Sequence, residues 1–239
     1  MKLRNFFAAS LCFAFLLVAS LLHADLYAAQ PSEAGNLSIR GPLDAPVSIM
    51  IFSDFSCAYC AKATATLNEI ERLYPGQVII VFKHYPLRLD ESTLLPHEAA
   101  MAAGQQGKFW LMHDLLFARQ GKHQRTSLDG DAKELRLNFS RFKKDMDQHK
   151  YRDAVMKDII EAKALKVTAT PTFFIDGYKL EGLQSLSALQ QIIENRLRTK
   201  AAQNNENSSL QQFLQKAYSN KDGAVLGPQL APGDLPATR

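Results

Sequence analysis

The sequence predicts an α/β domain with one parallel βαβ unit, a run of helices inserted behind it, and an antiparallel hairpin. Three observations carry that expectation. Two apolar, β-branched runs, residues 47–55 and 77–82, flank a segment of helical periodicity. The apolar period then stays helical over residues 90–165. Finally Asp176-Gly177, set between residues 172–175 and 178–182, is the strongest short hairpin signal in the chain.

The 239 residues are 46% hydrophobic and 22% charged, which suits a globular domain rather than a fibrous, disordered or multiply membrane-spanning chain. Net charge is +4, but the 28 Lys and Arg are interspersed with 24 Asp and Glu. No basic block stands out, so nucleic acid is not an expected partner.

At the N-terminus, Lys2 and Arg4 precede an uncharged apolar run at 6–22, the pattern of an export leader. Residues 1–28 read as a signal peptide, with Ala24, Ala28 and Ala29 offering small residues for cleavage, or as a retained N-terminal membrane anchor. Residues 29–46, with Pro31, Gly35, Gly41, Pro42 and Pro46, read as a polar lead-in. The main domain then spans 47–199. Its first strand is followed by a helix at 57–74, with Leu67, Ile70 and Tyr74 on one face and Pro75-Gly76 as its stop. The second strand leads into a helical insert at about 90–165. There an Ala-rich helix at 98–106 and a very apolar one at 109–117 precede Leu135, Phe139, Phe142 and Met146 at helical spacing, then Tyr151, Val155, Ile159 and Ala162. Ser187 and Gln190 have capping-box spacing and open a helix carrying Leu189, Ile192, Ile193 and Leu197. Residues 200–239 form a polar tail punctuated by Pro228, Pro232 and Pro236. Within it 203–209 reads as a linker, and Leu210, Phe213, Leu214 and Ala217 fit a short amphipathic helix.

The chemistry-bearing motif is Cys57-Ala58-Tyr59-Cys60, directly after a buried strand and opening a helix. The spacing puts both sulfurs on one helix face, where helix neighbours have Cβ atoms about 5–6 Å apart and a disulfide needs only modest adjustment. At the first helical position Cys57 meets free N–H groups and the positive dipole end, which favour a thiolate. Cys57 is therefore the expected nucleophile, and Cys60, one turn inside, the resolving thiol. Other uses of the pair are weaker. Cys12 lies in the leader, so the body has no further cysteines to complete a zinc site, and His84, His97, His113, His123 and His149 lack paired ligand spacing. Two thiolates alone suit Cu(I), which keeps a copper- or client-binding module as an alternative. A purely structural disulfide would close almost no loop.

Several other motifs accompany the pair. Residues 53–56, Ser-Asp-Phe-Ser, precede it; Lys83-His84-Tyr85-Pro86-Leu87 follows the second strand; Gly107-Lys108-Phe109-Trp110-Leu111-Met112-His113 lies in the insert; Thr170-Pro171-Thr172-Phe173-Phe174 precedes Asp176-Gly177. In this order they resemble the DsbA family of thioredoxin-like thiol:disulfide oxidoreductases over residues 37–199. The resemblance implies a thioredoxin-like fold with an inserted α-helical subdomain. It implies a cis Pro171 beside the cysteines, a Thr170 backbone free to pair with an extended substrate, and no cofactor beyond the redox-active Cys57–Cys60 pair. The implied partners are exported, cysteine-bearing proteins of a bacterial periplasm or envelope and a membrane redox protein, either a quinone-linked oxidase or a thiol reductant.

Ala58 and Tyr59, which tune the pair, depart from the Cys-Pro-His-Cys of strongly oxidising relatives. With Thr170 they lean toward isomerases and reductases, so the direction of electron flow stays open. The short lead-in leaves no added dimerisation domain before the fold, which favours an oxidase. Asp54, three residues before Cys57, is a candidate proton relay to Cys60, although a strand-end Asp is more often a turn or cap residue. Lys83 and His84 read as solvated loop charges, His97 and His113 as surface or hydrogen-bonded histidines, and Trp110 and Phe117 as core of the insert.

Overall fold

A computed structural model of the chain describes residues 38–219. The leader, Cys12 and the proline-punctuated residues 220–239 lie outside them. Among the described residues, no helix is long and apolar enough to cross a membrane. The chain divides after Gln190 into two units.

The first unit is built on a five-stranded sheet of order β1-β3-β2-β4-β5. Strand β2 (Val47–Ser53) leads through the cysteine motif into α1 (Ala58–Leu73) and back along β3 (Val78–His84). The two strands pair in parallel, from Val47 opposite Val78 to Ser53 opposite His84, as the βαβ pattern predicts. Val47, Ile49, Ile51, Phe52, Ile80 and Phe82 are all buried, consistent with a sheet covered on both faces. One strand lies outside the expected set. The lead-in contains β1 (Ile39–Arg40), antiparallel to β3, a pairing too short to leave an alternation in the sequence.

Five helices fill the space between β3 and β4: α2 (Glu91–Gly104), α3 (Phe109–Ala118), α4 (Arg125–Glu134), α5 (Phe139–Asp147) and α6 (Arg152–Ala164). Helix α2 begins well before the expected residue 98. Its cap is Asp90, whose side chain accepts from Thr93 N–H, and Pro96 is accommodated inside it. The polar α4 had no apolar signature to announce it. The apparent continuity from Leu135 to Met146 is broken at Arg136, whose φ is 52°, and α5 restarts on the Asn138 cap.

Strands β4 (Thr172–Ile175) and β5 (Tyr178–Glu181) form the expected hairpin. Asp176 and Gly177 have φ of 46° and 80°, the positive pair that a two-residue turn of matching twist requires. Asp176 Oδ1 also accepts from the backbone N–H and hydroxyl of Ser48, tying the turn to β2.

Helix α7 (Leu186–Ser219) departs twice from expectation. Its cap is Ser185, whose hydroxyl accepts from Ala188 N–H, and not Ser187. It also runs straight through 203–209, where the polar composition predicts a linker, and the described side chains from Ala201 onward are exposed. The Asn and Ser residues of 203–209 are weak formers, but the helix is already nucleated on the buried Leu189 and Ile193, and good formers, Ala201, Ala202, Leu210 and Gln211, flank the run.

Gly41 is the tightest backbone position. Its φ is 100°, and a Cβ there would stand 2.4 Å from the Val78 carbonyl oxygen. At Gly76, φ is 73° but nothing lies within 4 Å. Gly76→Ala is therefore expected to lose only the left-handed backbone preference, about 1–2 kcal/mol. Gly41→Ala adds a backbone collision and should lose clearly more in urea unfolding followed by circular dichroism. Equal losses would show that β1 yields freely.

Candidate active site

The site is assembled where β2 ends. The chain leaves Ser53, turns through Asp54, Phe55 and Ser56, and places Cys57 as the N-cap of α1, with Ala58 as the first helical residue. Cys57 thus sits one position earlier than the sequence suggests. The chemical consequence is unchanged: α1 has no acidic residue in its first turn and no side-chain cap, so its N–H groups remain available to negative charge beside Cys57.

The two thiols are free and differ sharply in environment. Cys57 is half-buried, and its thiol points to the Thr170 carbonyl oxygen at 3.5 Å. Cys60 is 0% exposed. Burial pushes its thiol up to about 12, against the pull of the Asp54 N–H and the Ser53 and Thr170 hydroxyls. The Asp54 N–H lies 3.5 Å from Cys60 Sγ. An outer and an inner thiol therefore stand in different environments. Between them, Ala58 and Tyr59 are exposed.

The Thr170–Pro171 peptide bond is cis. Pro171 directly precedes β4, which pairs with β2, and the Pro171 carbonyl accepts from Gly182 N–H at 2.8 Å. Together these place residues 170–171 beside the cysteine motif although they lie far away in sequence.

Asp54 is a turn residue and more. Its Oδ1 accepts from Ser56 N–H at 2.8 Å and its Oδ2 from Leu87 N–H at 3.0 Å. Burial would push this carboxyl up. His97 and the two N–H donors outweigh burial and hold it below the usual carboxylate range. His97 Nε2 stands 3.7 Å from Oδ1, and His97 Nδ1 meets His84 Nδ1 at 2.8 Å.

These histidines correct the sequence reading. His84 is not a loop charge, because it ends β3 and is buried at 1% exposure. His97 and His113 are buried as well, so of the two readings for them the hydrogen-bonded one holds, through His84 Nδ1 and Asp114 Oδ1 at 2.8 Å each. They surround Phe55, with ring centroids 6.4, 4.8 and 5.8 Å away, while Phe82 stacks on it at 5.2 Å. Burial lowers all three histidines. Lys83 is also no solvated charge, since it pairs with Asp158 at 3.1 Å and Glu161 at 2.8 Å. Phe117 packs on Phe55 as expected, whereas Trp110 is a half-buried clasp, donating to the Ile39 carbonyl beneath the Arg40 guanidinium.

One residue escaped the sequence entirely. Gln120, after α3, donates its amide to the carbonyls of Phe55 and Cys57 at 2.9 and 3.0 Å and so fastens the insert to the cysteine loop. A glutamine in a loop carries no pattern that announces this. Nearby, a cleft of about 450 Å³ opens beside Ser56, lined by Arg88, Glu91, Thr93, His123 and Gln124. Among the described residues, no group of His, Cys, Asp and Glu is arranged to hold a metal ion.

The Thioredoxin_4 family model, described as thioredoxin, matches residues 33–195. The chain belongs to this thioredoxin family. Its helical insert between β3 and β4 and its cysteine motif after β2 are the features that the DsbA resemblance rests on. Among solved structures, it resembles a thioredoxin-like oxidoreductase from Silicibacter pomeroyi at 26% identity and a TM-score of 0.62, covering 72% of this chain and 99% of that one. BdbD from Bacillus subtilis, at 23% identity and a TM-score of 0.63, covers 71% and 97%, and at that identity shows the fold. So does the thiol-disulfide exchange protein alpha-DsbA2 from Wolbachia pipientis, at 18% identity, a TM-score of 0.60, and 66% and 85% coverage. Curated relatives are named differently. A Na(+)/H(+) antiporter NhaA 1 of Salinispora arenicola is 35% identical over 160 residues, which are 66% of this chain and 24% of the relative. The NhaA of Herminiimonas arsenicoxydans is 35% identical over 161 residues, or 65% and 25%. The chain spans about a quarter of the length of these relatives, so the match concerns a segment of each.

The buried histidines of this thioredoxin-family domain predict its acid sensitivity. Their folded values lie below the ordinary 6.5, so between the two values the unfolded chain binds more protons. Stability is present above the unfolded value and is lost as pH falls below it, by up to about 1.4 kcal/mol per pH unit for each histidine. Urea midpoints should fall as pH drops below 6.5, and His113→Phe should flatten the fall. A midpoint that does not change across this window would contradict neutral burial.

Proposed function

We propose that the protein is an exported thiol:disulfide oxidoreductase that forms disulfides in cysteine-bearing proteins of the bacterial envelope. The observation that carries this reading is the inequality of the two thiols. Cys57 is reachable at an uncapped helix start, and Cys60 is sealed beneath it. A reachable thiol beside a sealed partner is what exchange needs: one sulfur meets the substrate and the other completes the transfer internally.

In the oxidising direction Cys57 and Cys60 begin as a disulfide. A substrate thiolate attacks Cys57 Sγ, the Cys57–Cys60 bond breaks, and Cys60 leaves as a thiolate that takes up a proton. A second substrate thiolate attacks the mixed disulfide at the substrate sulfur, closing the substrate disulfide and expelling Cys57 as a thiolate beside the N–H groups of α1. Two electrons pass from the substrate dithiol to the protein. A membrane quinone-linked oxidase would remove them; for an isomerase or reductase, a membrane thiol reductant would supply them. The exchange needs no metal or organic cofactor.

The Thr170 backbone would pair with an extended substrate segment beside Cys57, with the cleft next to Ser56 free to receive chain flanking the substrate cysteine. Asp54, whose main chain already touches Cys60, is the group we assign to the proton of Cys60. Export to the periplasm or envelope rests on Lys2, Arg4 and the apolar run behind them. The isomerase or reductase reading draws support from Tyr59 and Thr170, where strongly oxidising relatives carry other residues.

Cys60→Ser should trap a mixed disulfide through Cys57 when offered a dithiol protein and an oxidant, and Cys57→Ser should trap none. Equilibration with glutathione buffers, read by mass spectrometry after alkylation, then sets the direction. Couples of this kind span about −270 to −120 mV, and a value near the upper end marks a disulfide donor. A value near the lower end would transfer the proposal to reduction or isomerisation, and no reversible couple would end it.

A further inference from the structure

Each exchange changes the protonation of Cys60, a thiol with no exposed surface. The Asp54 main-chain N–H lies 3.5 Å from the Cys60 Sγ, and Asp54 is one of three buried side chains gathered at the corner where the parallel strands β2 and β3 end. Ser53 is opposite His84, so Asp54 follows at the same corner, and α2 brings His97 down between them. His97 Nδ1 to His84 Nδ1 is 2.8 Å, a hydrogen-bond distance, whereas His97 Nε2 stands 3.7 Å from Asp54 Oδ1, an electrostatic contact rather than a hydrogen bond.

The short nitrogen–nitrogen contact allows only one of the two Nδ1 atoms to carry a hydrogen when both rings are neutral. If His97 donated through Nδ1, its bare Nε2 lone pair would face a carboxylate that is itself held ionised by two backbone N–H groups. The opposite assignment turns His97 Nε2–H toward Asp54, and His84 Nδ1–H then donates to His97 Nδ1. Electrostatics selects this second arrangement. His84 Nε2 is left as a bare acceptor with no hydrogen-bond partner among the described residues, lodged amid the rings of Phe55, Phe82 and Phe109. The pair therefore presents its N–H dipole to Asp54 while staying uncharged in an apolar pocket.

We propose that His97 and His84 are positioning residues for exchange: their fixed tautomers keep Asp54 ionised, and so set the pH below which Cys60 can no longer give up its proton. This rests on the reading of Cys57 and Cys60 as an exchange pair. In the reducing half-reaction, Cys60 Sγ bonds to Cys57 Sγ as the bond from Cys57 to the substrate sulfur breaks. The Cys60 proton goes to the Asp54 carboxylate, and the electron pair leaves on the substrate thiolate. In the oxidising direction every transfer reverses. The charged and titratable groups around His97 are Asp54, His84, His123 and Asp158, and those around His84 are His97, Lys83, His113 and Asp158, whose Oδ2 accepts from the His84 main-chain N–H at 2.9 Å.

The test uses the reduced full-length protein and the aromatic disulfide 5,5′-dithiobis(2-nitrobenzoate) in stopped flow. A first thionitrobenzoate is released as Cys57 is captured and a second as Cys60 attacks. The rate of the second release, followed against pH, should fall in acid with the midpoint of Asp54. His97→Phe should raise that midpoint by about one pH unit or more. His84→Leu should raise it in the same direction, because His97 is then free to reverse its tautomer. His84→Asn, whose amide N–H can donate to His97 Nδ1, should restore the wild-type midpoint. Alkylation of Cys57 in a Cys60→Ala background should be unaffected by all three changes. A slower second release with an unmoved midpoint would reduce the histidines to packing and overturn the proposal, as would His84→Asn behaving like His84→Leu. Should His97→Phe not fold, the two His84 variants decide alone. A wild-type protein that never releases the second thionitrobenzoate would fail the exchange reading itself, and this inference with it.

Discussion

The parallel register between β2 and β3 is the constraint on which the rest depends. It aligns seven residues of each strand and ends both at one corner, with Ser53 opposite His84. From that corner Asp54 turns the chain, Phe55 drops into an aromatic pocket, and Cys57 caps α1. A slip by one residue would turn every side chain of β2 to the other face. It would leave the site without its inner wall. The antiparallel pairing of β2 with β4 adds the opposite side and brings Thr170 to Cys57, so two strand neighbours supply what sequence separation hides.

That corner is unusual in what it buries. Asp54, His84, His97 and His113 are packed among Phe55, Phe82, Phe109 and Phe117, where an unpartnered polar group costs about 1–3 kcal/mol. Most are satisfied in chains: Asp54 by backbone N–H groups, His97 by His84, and His113 Nδ1 by Asp114 Oδ1 at 2.8 Å. Apolar side chains of similar size would pack as well without that exposure to error. Retention of polar groups next to a sealed thiol is therefore better explained by chemistry than by stability. Gln120 fits the same logic, since it holds the cysteine loop by its carbonyls and leaves the N–H groups of α1 free.

How much of this was legible follows from which forces act locally. The βαβ unit, the Asp176-Gly177 turn and the Cys57–Cys60 motif could be read because each is specified by residues close in sequence. Strand β1 was invisible, being two residues long and held only by its neighbour. Helix α4 was invisible because its polar surface lacks periodicity, and the break at Arg136 because the apolar spacing happens to continue across it. The histidines misled for a different reason. Composition and spacing say nothing of burial, and His84 became a core residue through its place in the register, not through its own type. Helix α7 is longer than composition suggests because the weak formers Asn and Ser of 203–209 are flanked by good ones, Ala201, Ala202, Leu210 and Gln211, within a helix already under way.

The same reasoning separates what the exchange site needs from what it does not. The family match ends at residue 195, while α7 continues to Ser219 with its described residues from Ala201 exposed. Every group given a role here, from Asp54 to Thr170, lies within the matched residues. The antiporter relatives contain a related segment of about this size inside far longer chains. The groups gathered around Cys57 and Cys60 come from β2, the turn after it, α2 and the segment before β4, all inside the matched residues.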